Sequence, residues 1–138
     1  MVGYSGTPLA QKLGITPGTT VVALKPPSNY RKLLGKGVRG VEFAGRTRNG
    51  ADFVHLFTTR RSELAKRLSI LRTTIDDVGV VWVSWPKKSS GVSTDVTENV
   101  IRDLALPLGF VDVKVCAVDE TWSGLKLMIR RENRKSSK

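Results

Sequence analysis

Val80-Val81-Trp82-Val83-Ser84-Trp85-Pro86 is the stretch on which the fold turns. Its apolar residues run together without alternation, the mark of a strand buried on both faces in a parallel sheet. Upstream, Ser62 to Ile75 reads as a helix. Leu64, Leu68, Leu71 and Ile75 share one stripe, while Glu63, Lys66, Arg67 and Arg72 fall elsewhere. Asp76-Asp77-Val78-Gly79 is the turn between helix and strand, and Ala51 to Thr58 (ADFVHLFT) is another nearly continuous apolar strand. Downstream, Thr94 or Asp95 caps a helix to Ala105, with Asp95 and Glu98 at capping-box spacing and Val96, Val100, Ile101 and Leu104 facing inward. Pro107 and Gly109 end it. Strand, helix, strand, helix and strand in succession predict a parallel sheet with right-handed crossovers.

The last strands break that rule. Phe110 to Val118 and Leu125 to Arg130 are joined only by Asp119-Glu120-Thr121-Trp122-Ser123-Gly124, too short for a crossover, so they pair antiparallel. The first half is plainer. Thr7-Pro8 opens a short helix that Gly14 closes, and Thr16-Pro17-Gly18-Thr19 is a turn. A strand at Thr20 to Leu24 stops at Lys25-Pro26-Pro27, Ser28 caps a brief helix through Leu34, and Val38 to Phe43 is a weaker strand before the basic loop Gly45 to Gly50. The expected fold is one Rossmann-like α/β domain over residues 1–130. Its sheet is mostly parallel, with helices on both faces and a C-terminal antiparallel hairpin strand, and a basic flexible tail follows at 131–138.

That order resembles the later part of class I S-adenosylmethionine-dependent methyltransferases. The resemblance implies that Leu125–Arg130 inserts beside Val80–Pro86, and that one helix–strand–helix section is missing after Val38–Phe43. It also implies a glycine-rich turn after the first strand and an acidic residue ending the second. This chain has Lys25-Pro26-Pro27-Ser28 at the first place and Phe43-Ala44-Gly45-Arg46 at the second, with Glu42 inside the strand. Two prolines remove two N–H donors from the turn. The expectation is therefore no cofactor, with S-adenosylmethionine as the exception to test. At the level of motifs, GYSGTPLAQKLGI, ADFVHLF, VWVSWPKKSSGVSTD and VDVKVCAVDETWSGLK resemble a family of small bacterial proteins, domain of unknown function number thirty fifty-two. That resemblance carries no activity with it.

Composition narrows the rest. The chain has 138 residues, 40% of them hydrophobic, a length and apolar content that suit a single folded core. No run approaches the ~20 apolar residues of a membrane span. The start MVGYSGTPLAQ lacks a signal peptide's apolar segment, so a cytoplasmic location without membrane contact is expected. One cysteine, Cys116, forms no internal disulfide, and with one histidine it builds no ordinary zinc site. Val111, Val113, Val115 and Ala117 form one apolar face of their strand, which leaves Cys116 with Asp112 and Lys114 as a structural thiol. His55, mid-strand, reads as a satisfied core histidine.

Open α/β sheets bind ligands beyond the carboxyl ends of their strands. That rim gathers Arg60, Lys87, Lys88, Ser89, Asp119, Glu120 and Trp122 as candidate ligand-binding residues. Lys87-Lys88-Ser89-Ser90-Gly91, leading into a helix, suggests an anion cradle, although no GxxxxGK[ST] order supports nucleotide hydrolysis. The net charge of +11 suits a polyanion. Arg46/Arg48, Arg60/Arg61, Lys66/Arg67 and the tail Arg130–Lys138 are its clusters. Three functions follow in order: a non-enzymatic or degenerate-enzyme module binding an anionic small molecule or partner, a nucleic-acid-associated protein, and a minimal S-adenosylmethionine-dependent methyltransferase. The sequence leaves catalytic residues and oligomeric state unassigned.

Overall fold

The computed structural model describes residues 7–35 and 38–134. Its elements run α1 (Leu9–Leu13), β1 (Thr20–Leu24), α2 (Tyr30–Leu34), β2 (Glu42–Ala44), β3 (Ala51–Phe57), α3 (Arg61–Thr74), β4 (Ile75–Pro86), α4 (Glu98–Ala105), β5 (Phe110–Ala117) and β6 (Trp122–Ile129). Single 3₁₀ turns lie at Lys88–Ser90, Leu106–Leu108 and Arg131–Asn133. The six strands form one sheet in the order β2-β1-β3-β4-β6-β5. The first four are parallel, and β6 enters antiparallel between β4 and β5, with Val80 opposite Met128 and Pro86 opposite Trp122. The inserted strand thus lies where the methyltransferase resemblance puts it.

Successive side chains of a strand point to opposite faces. Val22, Val54, Leu56, Val81 and Val83 meet Leu64, Leu68 and Leu71 of α3 and Ile101 and Ala105 of α4. Val21, Phe53, Phe57 and Trp82 meet Leu9 and Leu13 of α1 and Tyr30 and Leu34 of α2. Both faces of β3 and β4 are covered, which is why their sequences show no alternation. The connection from β2 to β3 is only residues 45–50, and it spans the position of β1 without a helix.

Several boundaries differ from expectation. Asp76-Asp77-Val78-Gly79 is not a turn but part of β4, pairing irregularly with β3: Ala51 faces Ile75, then Phe53 faces Val80. Extra residues bulged out of a ladder carry turn-like composition. A Cβ at Gly79 would come 2.7 Å from the Ile75 side chain. β2 is three residues rather than six, and Pro8, not Thr7, holds the N-cap position of α1.

The helix expected from Thr94 starts later, at Glu98, where Thr97 accepts the N–H of Val100 at 3.2 Å. β5 also departs from simple alternation, because its register shifts between Asp112 and Lys114. The shift puts Cys116 opposite Gly124, against the α1/α2 cluster, while Asp112 reaches Arg102 of α4. Cys116 and Asp112 therefore lie on opposite faces, and Val113 and Val115 are about half exposed. Of the tail, the first residues are tied back, with Arg134 Nε donating to the Ile129 carbonyl at 2.9 Å. Residues 135–138 lie outside the described residues. No helix among the described residues is long and apolar enough to cross a membrane.

Candidate functional site

The rim at the carboxyl ends of the parallel strands holds two clefts separated by α2. The first, about 660 Å³, lies over the ends of β1 and β2, walled by Pro26, Pro27, Tyr30, Arg31, Phe43 and Gly45. The second, about 650 Å³, lies between α1, α2 and the β5–β6 turn, walled by Lys12, Lys32, Leu33, Asp119 and Glu120. Asn29 and Lys32 line both.

A buried polar chain fixes α2 between them. His55 on β3 is fully buried, with Nδ1 2.8 Å from the Tyr30 hydroxyl and Nε2 2.7 Å from the Ser84 hydroxyl. A neutral imidazole offers one donor and one acceptor nitrogen, so both ring nitrogens are satisfied. Burial lowers the His55 pKa to about 3 and pushes the Tyr30 phenol well above its ordinary value. His55 is the satisfied core histidine that its mid-strand place suggests. Trp82 does the same for α1, its indole N–H donating to the Leu13 carbonyl at 2.9 Å.

The turn after β1 has an unusual backbone. Lys25 has φ of 55°, the left-handed region that favours glycine, and its ammonium lies 3.7 Å from Glu63 of α3. A lysine thus stands where the backbone favours glycine, and Pro26 and Pro27 follow without N–H donors. At β2, Phe43 shares the cleft face with Tyr30, while Glu42, one residue earlier, points to the opposite face. Arg31 covers the Phe43 ring, its guanidinium carbon 4.4 Å from the centroid.

The expected rim residues are placed unevenly. Asp119 and Glu120 line the second cleft, but one Asp119 oxygen is already taken by the N–H groups of Thr121 and Trp122, at 2.9 and 2.7 Å. Trp122 is half-buried, edge-on to Phe57, and walls neither cleft. Lys87 meets the hairpin only through its backbone N–H, which donates to the Thr121 carbonyl at 2.7 Å. Lys88 and Ser89 sit on an exposed 3₁₀ turn, and Arg60 holds the N-cap position of α3, away from both clefts.

The expected cradle before α4 does not assemble, because residues 91–97 separate Lys87–Ser90 from that helix. Asp95, expected to cap α4, instead accepts the Arg61 N–H of α3 at 2.6 Å, and the Thr94 hydroxyl donates to the Thr59 carbonyl. The residues that the sequence reading passed over are those of α2. A helix of five residues gives too little periodicity to show which side chains face a cleft.

No protein-family model and no curated protein sequence matches the chain. Solved structures do. A SAM-dependent methyltransferase from Aquifex aeolicus superposes with a TM-score of 0.62 at 16% identity, covering 87% of each chain. The chain has a methyltransferase-like fold. A putative type 11 methyltransferase from Sulfolobus solfataricus gives 0.55 at 12% identity, over 88% of this chain and 89% of that one. The magnesium protoporphyrin IX methyltransferase of Synechocystis, with bound SAM, gives 0.56 at 12%, over 88% and 74%.

Proposed function

We propose that the protein is a minimal methyltransferase-fold protein that holds an adenosine-type ligand in the cleft over β1 and β2, S-adenosylmethionine being the member of that class its structural neighbours suggest. One observation carries the reading: a 660 Å³ cleft at the carboxyl ends of β1 and β2. Open α/β sheets bind ligands beyond the carboxyl ends of their strands, and the volume is that of a small-molecule site. The cleft suits the nucleoside half, with the mutually perpendicular rings of Phe43 and Tyr30 as apolar lining and Ser28 and Asn29 as polar groups. The methyl donor's amino-acid half fits poorly, because Pro26 and Pro27 offer it no N–H. S-adenosylmethionine would supply an activated methyl group, and no residue of the chain is assigned to a transfer step.

The test is a thermal-shift and calorimetric titration with S-adenosylhomocysteine, adenosine and methionine. The reading expects both adenosine compounds to stabilise the fold and methionine to do nothing. Ligand at ~100 times its dissociation constant adds about 2.7 kcal/mol, several degrees of midpoint. A second reading, a cofactor-free module for an anionic partner or nucleic acid, draws on Pro26–Pro27, the exposed cations Lys88 and Arg60 and the half-buried Lys87. It expects no response to adenosine compounds, and binding of single-stranded nucleic acid that falls steeply with salt.

A further inference from the structure

We infer that the adenosine-type ligand of the β1/β2 cleft carries a phosphate on its ribose. The inference rests on the reading that a nucleoside occupies this cleft, and adds what the cleft demands of it. A neutral ribose at the end of β2 is held by a carboxylate accepting its hydroxyl protons, whereas a phosphorylated ribose needs an arginine there. Among the described residues no carboxylate lines this cleft. Glu42, the one acid of β2, points to the opposite face, and the strand ends in Gly45 and Arg46. Two cations, Arg31 and Lys32, do line it. Among the described residues neither they nor Arg46 takes part in an ion pair.

Arg31 is also pre-placed. Stacked on Phe43, its guanidinium sits at the end of β2 without spending its N–H donors on a carboxylate. A ribose at this end of the cleft would lie beside this group. A planar fork of N–H donors matches a phosphate better than a hydroxyl. S-adenosylmethionine, which bears a sulfonium, is the less suited member of the adenosine class here. An absent acid and an unpaired arginine at the same strand end point to one ligand chemistry.

The experiment compares four probes by calorimetry at fixed low salt: adenosine, S-adenosylhomocysteine, adenosine 2′-phosphate and inorganic phosphate. The expected result is that adenosine 2′-phosphate binds at least about tenfold more tightly than adenosine, the gain typical of a charge-assisted pair. Arg31→Gln should bring the ratio of the two affinities close to one. Lys32→Gln, at an exposed position of the same cleft, gives the same test if Arg31→Gln fails to fold. Equal binding of adenosine and its phosphate overturns the inference and leaves the nucleoside reading standing. If no adenosine compound binds, the nucleoside reading falls and takes the inference with it. Inorganic phosphate binding as tightly as adenosine 2′-phosphate overturns the inference in favour of a bare anion site.

Discussion

The two faces of the sheet are closed in different ways. Over one, α3 and α4 lay a purely apolar stripe of leucines and isoleucine on valines, and the longer helix has 14 residues. Over the other, α1 and α2 have five residues each, too short to be stable by propensity or by area alone. That face adds directional bonds that are themselves buried: the Trp82 indole to the Leu13 carbonyl, and Tyr30 to His55 to Ser84, whereas the bonds of α3 and α4, such as Arg72 to the Leu108 carbonyl, lie nearer the surface. Apolar burial is tolerant of small shifts, whereas a satisfied buried hydrogen bond fixes a position and is costly to leave half-made. The difference teaches where the molecule can open. Both clefts lie on the pinned face, and α2 stands between them.

The sharpest way to break the comparison is Trp82→Ala. It removes the largest fully buried side chain and strips the Leu13 carbonyl of its donor. The expected loss is about 3–5 kcal/mol in urea-unfolding stability. A Trp82→Phe variant as stable as the wild type would show that the indole bond does not hold α1.

A second test uses acid. Because burial lowers the His55 pKa to about 3, the unfolded chain binds a proton below about pH 6.5 that the folded chain refuses. Stability contributed by the neutral imidazole is thus complete above about pH 6.5 and falls by up to about 1.4 kcal/mol per pH unit towards pH 3. His55→Gln should flatten unfolding free energy measured between roughly pH 7 and pH 5. An unchanged slope would mean that other groups govern the acid limb.

Tyr30→Phe tests the pin on α2 directly. It leaves one His55 nitrogen without a partner, at an expected cost of about 1–3 kcal/mol. Amide exchange should quicken in residues 30–34 before it does in α3. Uniform quickening in both helices would erase the distinction between the faces. On the apolar face, Asp95→Ala removes the carboxylate that accepts the first N–H of α3, an expected loss of about 0.5–2 kcal/mol in thermal or urea midpoint. The smallest effect has the opposite sign. Lys25→Gly releases a left-handed backbone at a non-glycine residue and should stabilise by up to about 1 kcal/mol, since the half-exposed pair with Glu63 contributes little.

The sequence shows the apolar face far better than the pinned one. Long elements with strong periodicity, such as Ser62–Ile75 and Val80–Pro86, announce themselves, and the antiparallel pairing of β5 and β6 follows from their short connection, whereas the place of β6 beside β4 comes from the methyltransferase resemblance. The candidate site is less legible for three reasons. Asp95 looks like a cap for the helix that follows it, and only the fold brings it to a different helix. One irregularity in β5 reverses which residues accompany Cys116, which alternation cannot anticipate. The α2 residues that wall the clefts lie in a segment of five, where no stripe exists to be read.

The passage from β2 to β3 in residues 45–50 has a kinetic consequence. Parallel strands fold slowly because a long loop must close before any pairing rewards it, each doubling of loop length costing about 0.6 kcal/mol. Six residues join β2 to β3, and Val22 and Val54, paired at the centre of the parallel sheet, are 32 residues apart (54 minus 22). A longer excursion there would raise the closure cost of that pairing. The hairpin of β5 and β6 is a local unit, whereas the pairing of β6 with β4 closes over α4 and β5.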